Sequence, residues 1–271
     1  VIAASVDVLR LEGVTCAFRG RNGSRYEAVR DATLAVADHE FVSVVGPTGG
    51  GKTTLLNAAA GLMAPVAGRV LVSGQPLVGL NRSAGYLFQA DALMPWKTAL
   101  DNVAVGLLLR GTGAAEARDR AREWLGRVGL RNFTDRYPHE LSGGMRKRVA
   151  LAQTLILDPK LLLMDEPFSA LDVQTRSLME NELLALWQQD RKSVLFVTHD
   201  LEEAIALSDR VIVLSAGPAS RPVAEFAITL PRPRDVAEVR HAPEFVDLHR
   251  RIWACLREEV SRAHAAWAGV A

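Results

Sequence analysis

The run Gly46-Pro47-Thr48-Gly49-Gly50-Gly51-Lys52-Thr53-Thr54 limits what this chain can fold into more than any other stretch does. It satisfies every fixed position of G-x-x-x-x-G-K-[ST], a loop that belongs between a strand and a helix. Both flanks are supplied. Phe41-Val42-Ser43-Val44-Val45 is apolar and β-branched, as a buried strand is, and the residues from Thr54 to Ala60 are rich in helix formers. The glycines let backbone N–H groups approach phosphate oxygens without a Cβ in the way, and the helix start adds a fixed positive partial charge. Lys52 would bring a full charge to the β- and γ-phosphates, and the Thr53 hydroxyl would ligate Mg²⁺. The expectation is a nucleoside triphosphate site, the alternative being a chance glycine-rich turn.

The rest of the composition narrows the partners. A length of 271 residues with 49% apolar and 23% charged residues can bury a sizeable core, as one large or two small units. A net charge of +1 gives bulk nucleic-acid binding no electrostatic support. Cys16 and Cys255 lie far apart and in no metal spacing, which predicts two unpaired thiols. No stretch reaches the eighteen or so uninterrupted apolar residues of a membrane span. The start from Val1 to Asp7 has no basic segment followed by an apolar core, so no secretory signal is expected, and the missing initiator Met reads as a trimmed or renumbered start. A soluble, cytosolic protein able to attach to a membrane protein is the resulting expectation.

Taken in order, residues 8–36 read as short strands. Val14, Cys16 and Phe18 alternate with polar or small residues, Arg19 to Ser24 form a turn, and Leu34 and Val36 resume the alternation, which predicts an antiparallel hairpin. Phe18 before the basic turn fits either a core aromatic or a platform for a base, the core being the more ordinary place. Gly68 to Gly74 enclose another strand, and Gly85-Tyr86-Leu87-Phe88 leads into Gln89. Residues 90–159 are helical in character, with Ala117, Ala121, Trp124, Leu125 and Val128 at helical spacing.

Three further stretches carry chemistry. In Leu141-Ser142-Gly143-Gly144-Met145-Arg146-Lys147-Arg148, Ser142 can cap a helix whose inner face is Met145, Val149, Ala152 and Leu155 or Ile156. Such a start could bind an anion or be a flexible helix start and nothing more. Leu161 to Asp165 and Glu166 form an apolar strand ending in two carboxylates, which alternation would send to opposite sides. Beside a phosphate loop, Asp165 would hold Mg²⁺ and Glu166 would orient the attacking water; alone, the pair would read as a solvated strand end. Ser193 to Val197 form one more strand, after which His199 sits where parallel sheets place ligand-contacting groups. Arg210 to Leu214 form a further strand. Beyond Pro231-Arg232-Pro233-Arg234 a helix carries Phe245, Leu248, Ile252, Leu256 and Val260 on one stripe, expected to dock on the chain's own core.

With these pieces in order, residues 8–230 resemble the ATP-binding subunit of an ABC transporter. Gly46 to Thr54 resembles Walker A, Gln89 the Q-loop, Leu141-Ser142-Gly143-Gly144-Met145 the signature motif and Leu161 to Glu166 Walker B. Ser169-Ala170-Leu171-Asp172 resembles the D-loop and His199 the switch histidine. Finer details resemble the nitrate, sulfonate and taurine importer branch. These are Leu93-Met94-Pro95-Trp96 after Phe88-Gln89, Asp101-Asn102-Val103, the run Gly143-Gly144-Met145-Arg146 with Met where much of the superfamily has Gln, Asp165-Glu166-Pro167-Phe168-Ser169-Ala170-Leu171-Asp172, and Leu230-Pro231-Arg232-Pro233-Arg234. Lys147 stands where the branch usually has Gln, and Gly50 where Cys is common.

The resemblance implies an α/β fold, a P-loop NTPase core with an antiparallel β subdomain and an inserted helical subdomain. The expected divisions are residues 1–89, 90–159, 160–230 and a tail helix in 231–271. It implies ATP and Mg²⁺ as ligands, with Thr53, Gln89 and Asp165 at the metal and Glu166, His199 and Lys52 at the reacting phosphate. It also moves Phe18 from the core to the adenine. Ser142, Gly143, Gly144 and Met145 would close over the ATP of a second copy, with Asp172 of the D-loop nearby. The implied partners are that second copy, transmembrane permease subunits at the cytoplasmic face of the membrane and, indirectly, a solute-binding protein. A soluble ABC-type ATPase of assembly or repair is the alternative; this chain lacks the long coiled coil or the second ATPase unit of such proteins.

Overall fold

The computed structural model describes residues 7–20 and 23–268, with side chains described as far as residue 263. Arg21 and Asn22 of the expected turn, and residues 1–6 of the expected signal-free start, lie outside the described residues.

The expected hairpin is formed by β1 (Asp7–Arg19) and β2 (Arg25–Ala37), paired antiparallel. These are two long strands rather than several short ones. Breaks in register near residues 11–16, with Gly13 at φ 58° and Asp31 at φ 51°, let Val14, Thr15 and Cys16 all be buried in succession. Bulges therefore hide the strand's length from a reader counting alternation.

β3 (Phe41–Val45) ends at the glycine loop, and α1 (Lys52–Ala59) leaves it. β4 (Ala67–Val72) and β5 (Gln75–Pro76) add to the hairpin in the order β2-β1-β4-β5. β6 (Ala84–Leu87) then begins the edge of a second sheet. Three helices follow, α2 (Ala99–Leu109), α3 (Ala114–Arg127) and α4 (Gly143–Leu155). Val103, Leu107, Ala121, Leu125, Val149 and Ile156 gather in a core of their own, as the helical spacing in α3 and α4 predicts.

The chain returns through β7 (Leu161–Asp165), α5 (Val173–Asp190), β8 (Ser193–Val197), α6 (Leu201–Leu207), β9 (Arg210–Leu214) and β10 (Pro222–Ala227). The second sheet runs β10-β9-β3-β8-β7-β6, with β10 antiparallel and the other neighbours parallel. Every residue of β3, β7 and β8 is buried, because both faces are covered. Phe41, Met164 and Phe196 enter one core with α5 and α6, while Val42, Leu163 and Leu195 enter the other with α1 and the antiparallel sheet.

The tail is α7 (Val236–Val239) and α8 (Pro243–Ala268). Phe245, Leu248, Ile252 and Leu256 are buried in the core shared with α5 and α6, and Val260 packs against it. The arginines of Pro231-Arg232-Pro233-Arg234 fasten this tail. Arg234 donates to the carbonyls of Ser208 and Leu230 at 2.7 and 2.8 Å, and burial lowers its pKa to about 10. Arg232 pairs with Asp209 at 2.8 Å and lies 4.3 Å from the centre of the Trp187 ring. No helix among the described residues is long and apolar enough to cross a membrane.

Candidate functional site

The glycine loop sits at the C-terminal end of β3, which lies between β9 and β8 inside the parallel part of the sheet, where strand ends and helix starts converge on one side. Gly49 and Gly51 are left-handed, at φ 78° and 74°. A Cβ on Gly51 would stand 2.6 Å from Val29 Cγ2 and 2.9 Å from Ser220 Oγ, so this glycine is required by both backbone and space. Gly51→Ala is expected to destabilise the fold by about 1–2 kcal/mol from the left-handed backbone alone, with the clash added. Chemical denaturation of the purified variant reads this directly, and an unchanged midpoint would show that the loop relaxes freely.

Lys52 is only 6% exposed. Its ammonium donates to the carbonyls of Gly46 at 2.9 Å and Pro47 at 3.1 Å. Burial pushes its pKa below the ordinary lysine value, opposed by the charges of Glu166 and Asp165. Thr53 Oγ1 donates to Asp165 Oδ1 at 3.0 Å, which links the loop to the end of β7. Burial raises the Asp165 pKa, and the Thr53 hydroxyl works against that rise.

Asp165 and Glu166 take different partners, and strand alternation is not what separates them. The strand stops at Asp165, and Glu166 takes a left-handed backbone at φ 42°, with its N–H donating to the Val197 carbonyl at 2.8 Å. A non-glycine residue held there is strained, and such strain concentrates at functional sites. The turn brings Glu166 Oε2 to 2.8 Å from His199 Nδ1. The residues on either side of His199 are held by a buried to part-buried polar network. Thr198 Oγ1 donates to Glu203 Oε2 at 2.5 Å, and Arg176 donates to Asp200 and to the Leu171 carbonyl at 3.1 and 3.2 Å. Glu180, buried beneath them, is pushed up to about 8, first by burial and then by the charge of Glu203.

A cleft of about 580 Å³ gathers Phe18, Thr48 to Thr54, Gln89, Glu166 and His199. Gly46 and Pro47 act from behind through their carbonyls, and Asp165 through Thr53. Ser142, Gly143, Gly144 and Met145 do not line it. Ser142 Oγ accepts from the Met145 N–H at 3.3 Å and caps α4, while a Cβ on Gly144 would meet Thr175 at 2.8 Å. Asp172 caps α5, accepting from the Thr175 N–H at 3.0 Å, and that bond lowers its pKa.

Three contributors escape a reading by motif. Tyr26 lines the cleft with Phe18, its cross-strand partner; the two are 48% and 47% exposed. Pairing residues outward from the 19–25 turn would have placed 26 opposite 18. Ser220, just before β10, donates to the Gly50 carbonyl at 2.7 Å, and nothing in its sequence neighbourhood announces this. Tyr86 donates to Asn57 at 3.1 Å, and burial together with the Asp165 charge raises its pKa.

The family described as ABC transporter matches residues 29–169. The taurine import ATP-binding protein of Pseudomonas aeruginosa (strain UCBPP-PA14) is 42% identical over 90% of this chain and 94% of its own length. The nitrate import ATP-binding protein of Synechocystis is 41% identical over 92% of this chain and 95% of its own. Among solved structures, the dimeric post-hydrolysis state of an ATP-binding cassette bound to ADP and Pi aligns with a TM-score of 0.72 and 31% identity. It covers 82% of this chain and all of that one. A phosphate loop braced by two sheets, a carboxylate and histidine facing it, and relatives matched over nearly their whole length lead to one conclusion: the chain belongs to the ABC transporter family, as an ATP-binding subunit.

Proposed function

We propose that this chain hydrolyses ATP to power uptake of a small anionic solute, of the nitrate or sulfonate kind, through a membrane permease. The observation that carries the chemistry is Glu166 within 2.8 Å of His199, in the same cleft as Lys52 and Thr53. The P-loop N–H groups cradle the β- and γ-phosphates, and Lys52 turns from the loop carbonyls to the phosphate oxygens. Glu166 accepts a hydrogen bond from the attacking water, and His199 holds that carboxylate in place while contacting the γ-phosphate. The water oxygen bonds to the γ-phosphorus as its proton passes to Glu166, the bond from that phosphorus to the β-γ bridging oxygen breaks with its electron pair staying on ADP, and ADP and phosphate leave as Glu166 gives the proton up.

The hydroxyl of Thr53 and the carboxylate of Asp165 are hard oxygen donors 3.0 Å apart, and with the Gln89 amide they suit Mg²⁺. Bound there, the ion would offset phosphate charge. Phe18 and Tyr26 form the wall against which the adenine stacks. Phe18→Ala is expected to weaken ATP binding about tenfold, and Tyr26→Ala less, since stacking on one aromatic is worth about 1–3 kcal/mol per base. Equilibrium titration with ATP ranks them, and equal affinity in both variants and the parent would remove the wall from base recognition.

Ser142, Gly143 and Gly144 lie outside the cleft of their own chain, which suits a sandwich in which each copy caps the ATP of the other. Met145 follows them in the first turn of α4. Asp172 starts α5 on the same side as Gly144. The chain then sits peripherally at the cytoplasmic face of the membrane, and a solute-binding protein delivers the cargo to the permease. The four expected divisions of the chain follow the same reading, with residues 90–159 as the part that carries the signature. Growth tests the whole. A strain whose only copy carries Glu166→Gln should fail on one nitrogen or sulfur source and lose uptake of that labelled compound. Normal growth and uptake on all sources would sink the importer reading.

A further inference from the structure

A buried cation joins the signature helix to the cleft. Lys147, in the second turn of α4, is 4% exposed, and its ammonium donates to the Gln89 carbonyl at 2.5 Å and lies 3.0 Å from Asp91 Oδ1. Arg146 takes the other oxygen of the same carboxylate, donating from Nε to Asp91 Oδ2 at 2.9 Å, and also donates to the Leu141 carbonyl at 2.8 Å. A continuous polar chain thus runs from Leu141, immediately before Ser142, through Arg146, Asp91 and Lys147 to the backbone of Gln89 in the cleft wall. An exposed ion pair would carry little weight. Lys147 is withdrawn from water, so loss of either acceptor leaves a buried charge short of partners, and the segment from Gln89 to Asp91 is held to the first turns of α4.

We propose that Lys147 is a positioning residue that makes the Gln89 segment and the signature helix one moving body. A displacement of Gln89 by nucleotide in its own cleft then sets the orientation in which Ser142, Gly143 and Gly144 meet the triphosphate of a second copy. The proposal rests on the sandwich reading, and its test separates the two. In full-length protein carrying Glu166→Gln, sedimentation with ATP and Mg²⁺ measures dimerisation, and titration at high dilution measures ATP binding to the single chain. Adding Lys147→Met should weaken dimerisation about tenfold, the size of an ordinary coupling between sites, while single-chain ATP affinity stays within about twofold. Asp91→Asn, which alters the loop side and leaves the interior of α4 intact, should act in the same direction. If the Glu166→Gln parent dimerises and both added variants dimerise equally well, the coupling is overturned and the sandwich stands. A parallel fall in single-chain ATP affinity overturns it too, by showing damage to the cleft itself. If the parent stays monomeric with ATP, the sandwich falls and the coupling falls with it.

Discussion

Glu166→Gln is expected to leave ATP affinity within about twofold of the parent while lowering the hydrolysis rate by about 10²–10⁴-fold, the range associated with losing a positioned general base. The amide keeps the shape of the side chain and can still accept from a histidine N–H, so the left-handed turn that holds it near His199 is undisturbed. What is lost is the negative charge that draws on the proton of the attacking water. Phosphate release and equilibrium nucleotide binding, measured on the same preparation, separate the two quantities. A rate within a few-fold of the parent would take Glu166 out of the chemistry and leave it a structural partner of His199.

Lys52→Met is expected to do the opposite to stability from what it does to activity. Removing a positioned cation from the developing phosphate charge should lower kcat/KM by about 10²–10³-fold. Yet the Lys52 ammonium is buried against two loop carbonyls, and its pKa lies below 10.5 chiefly because burial disfavours the charged form. A lysine with a depressed folded pKa binds its proton less readily in the folded state than in the unfolded one. Its contribution therefore opposes folding at neutral pH, and that opposition is relieved as pH rises from the folded value towards 10.5. The methionine variant should melt at the same temperature as the parent or higher near pH 7, with the difference narrowing in alkaline buffer. A lower melting temperature at pH 7 would show that the two carbonyl contacts more than offset the desolvation.

Much of this architecture is legible in the sequence because it is encoded locally. The continuous apolar runs of β3, β7 and β8 follow from burial on both faces, and the spacing of Ala117, Ala121 and Leu125 follows from a single helical face. The full length of β1 and β2 is not encoded in a simple alternation, since register shifts at the bulges change which face a residue occupies. The apolar stripe of α5 is blurred: Met179, Leu183 and Trp187 are buried at helical spacing, but Glu180 lies inside with them and Leu178 is exposed.

By itself the sequence determined the strand, glycine loop and helix, the pair Asp165 and Glu166 at a strand end, the cap Ser142, and the amphipathic tail. Each depends on residues within a few positions of one another, where backbone preference, capping and side-chain period act without help from the rest of the chain. The tertiary structure alone decided which of these meet. Ser220 reaches Gly50 across 170 residues, Thr53 reaches Asp165 across 112, His199 reaches Glu166 across 33, and Lys147 reaches the carbonyl of Gln89 across 58. Those contacts are set by the order of strands in the sheet and by how α4 packs beside it. Strand order and helix packing are global solutions to burying all three cores at once, and no local stretch of chain carries them.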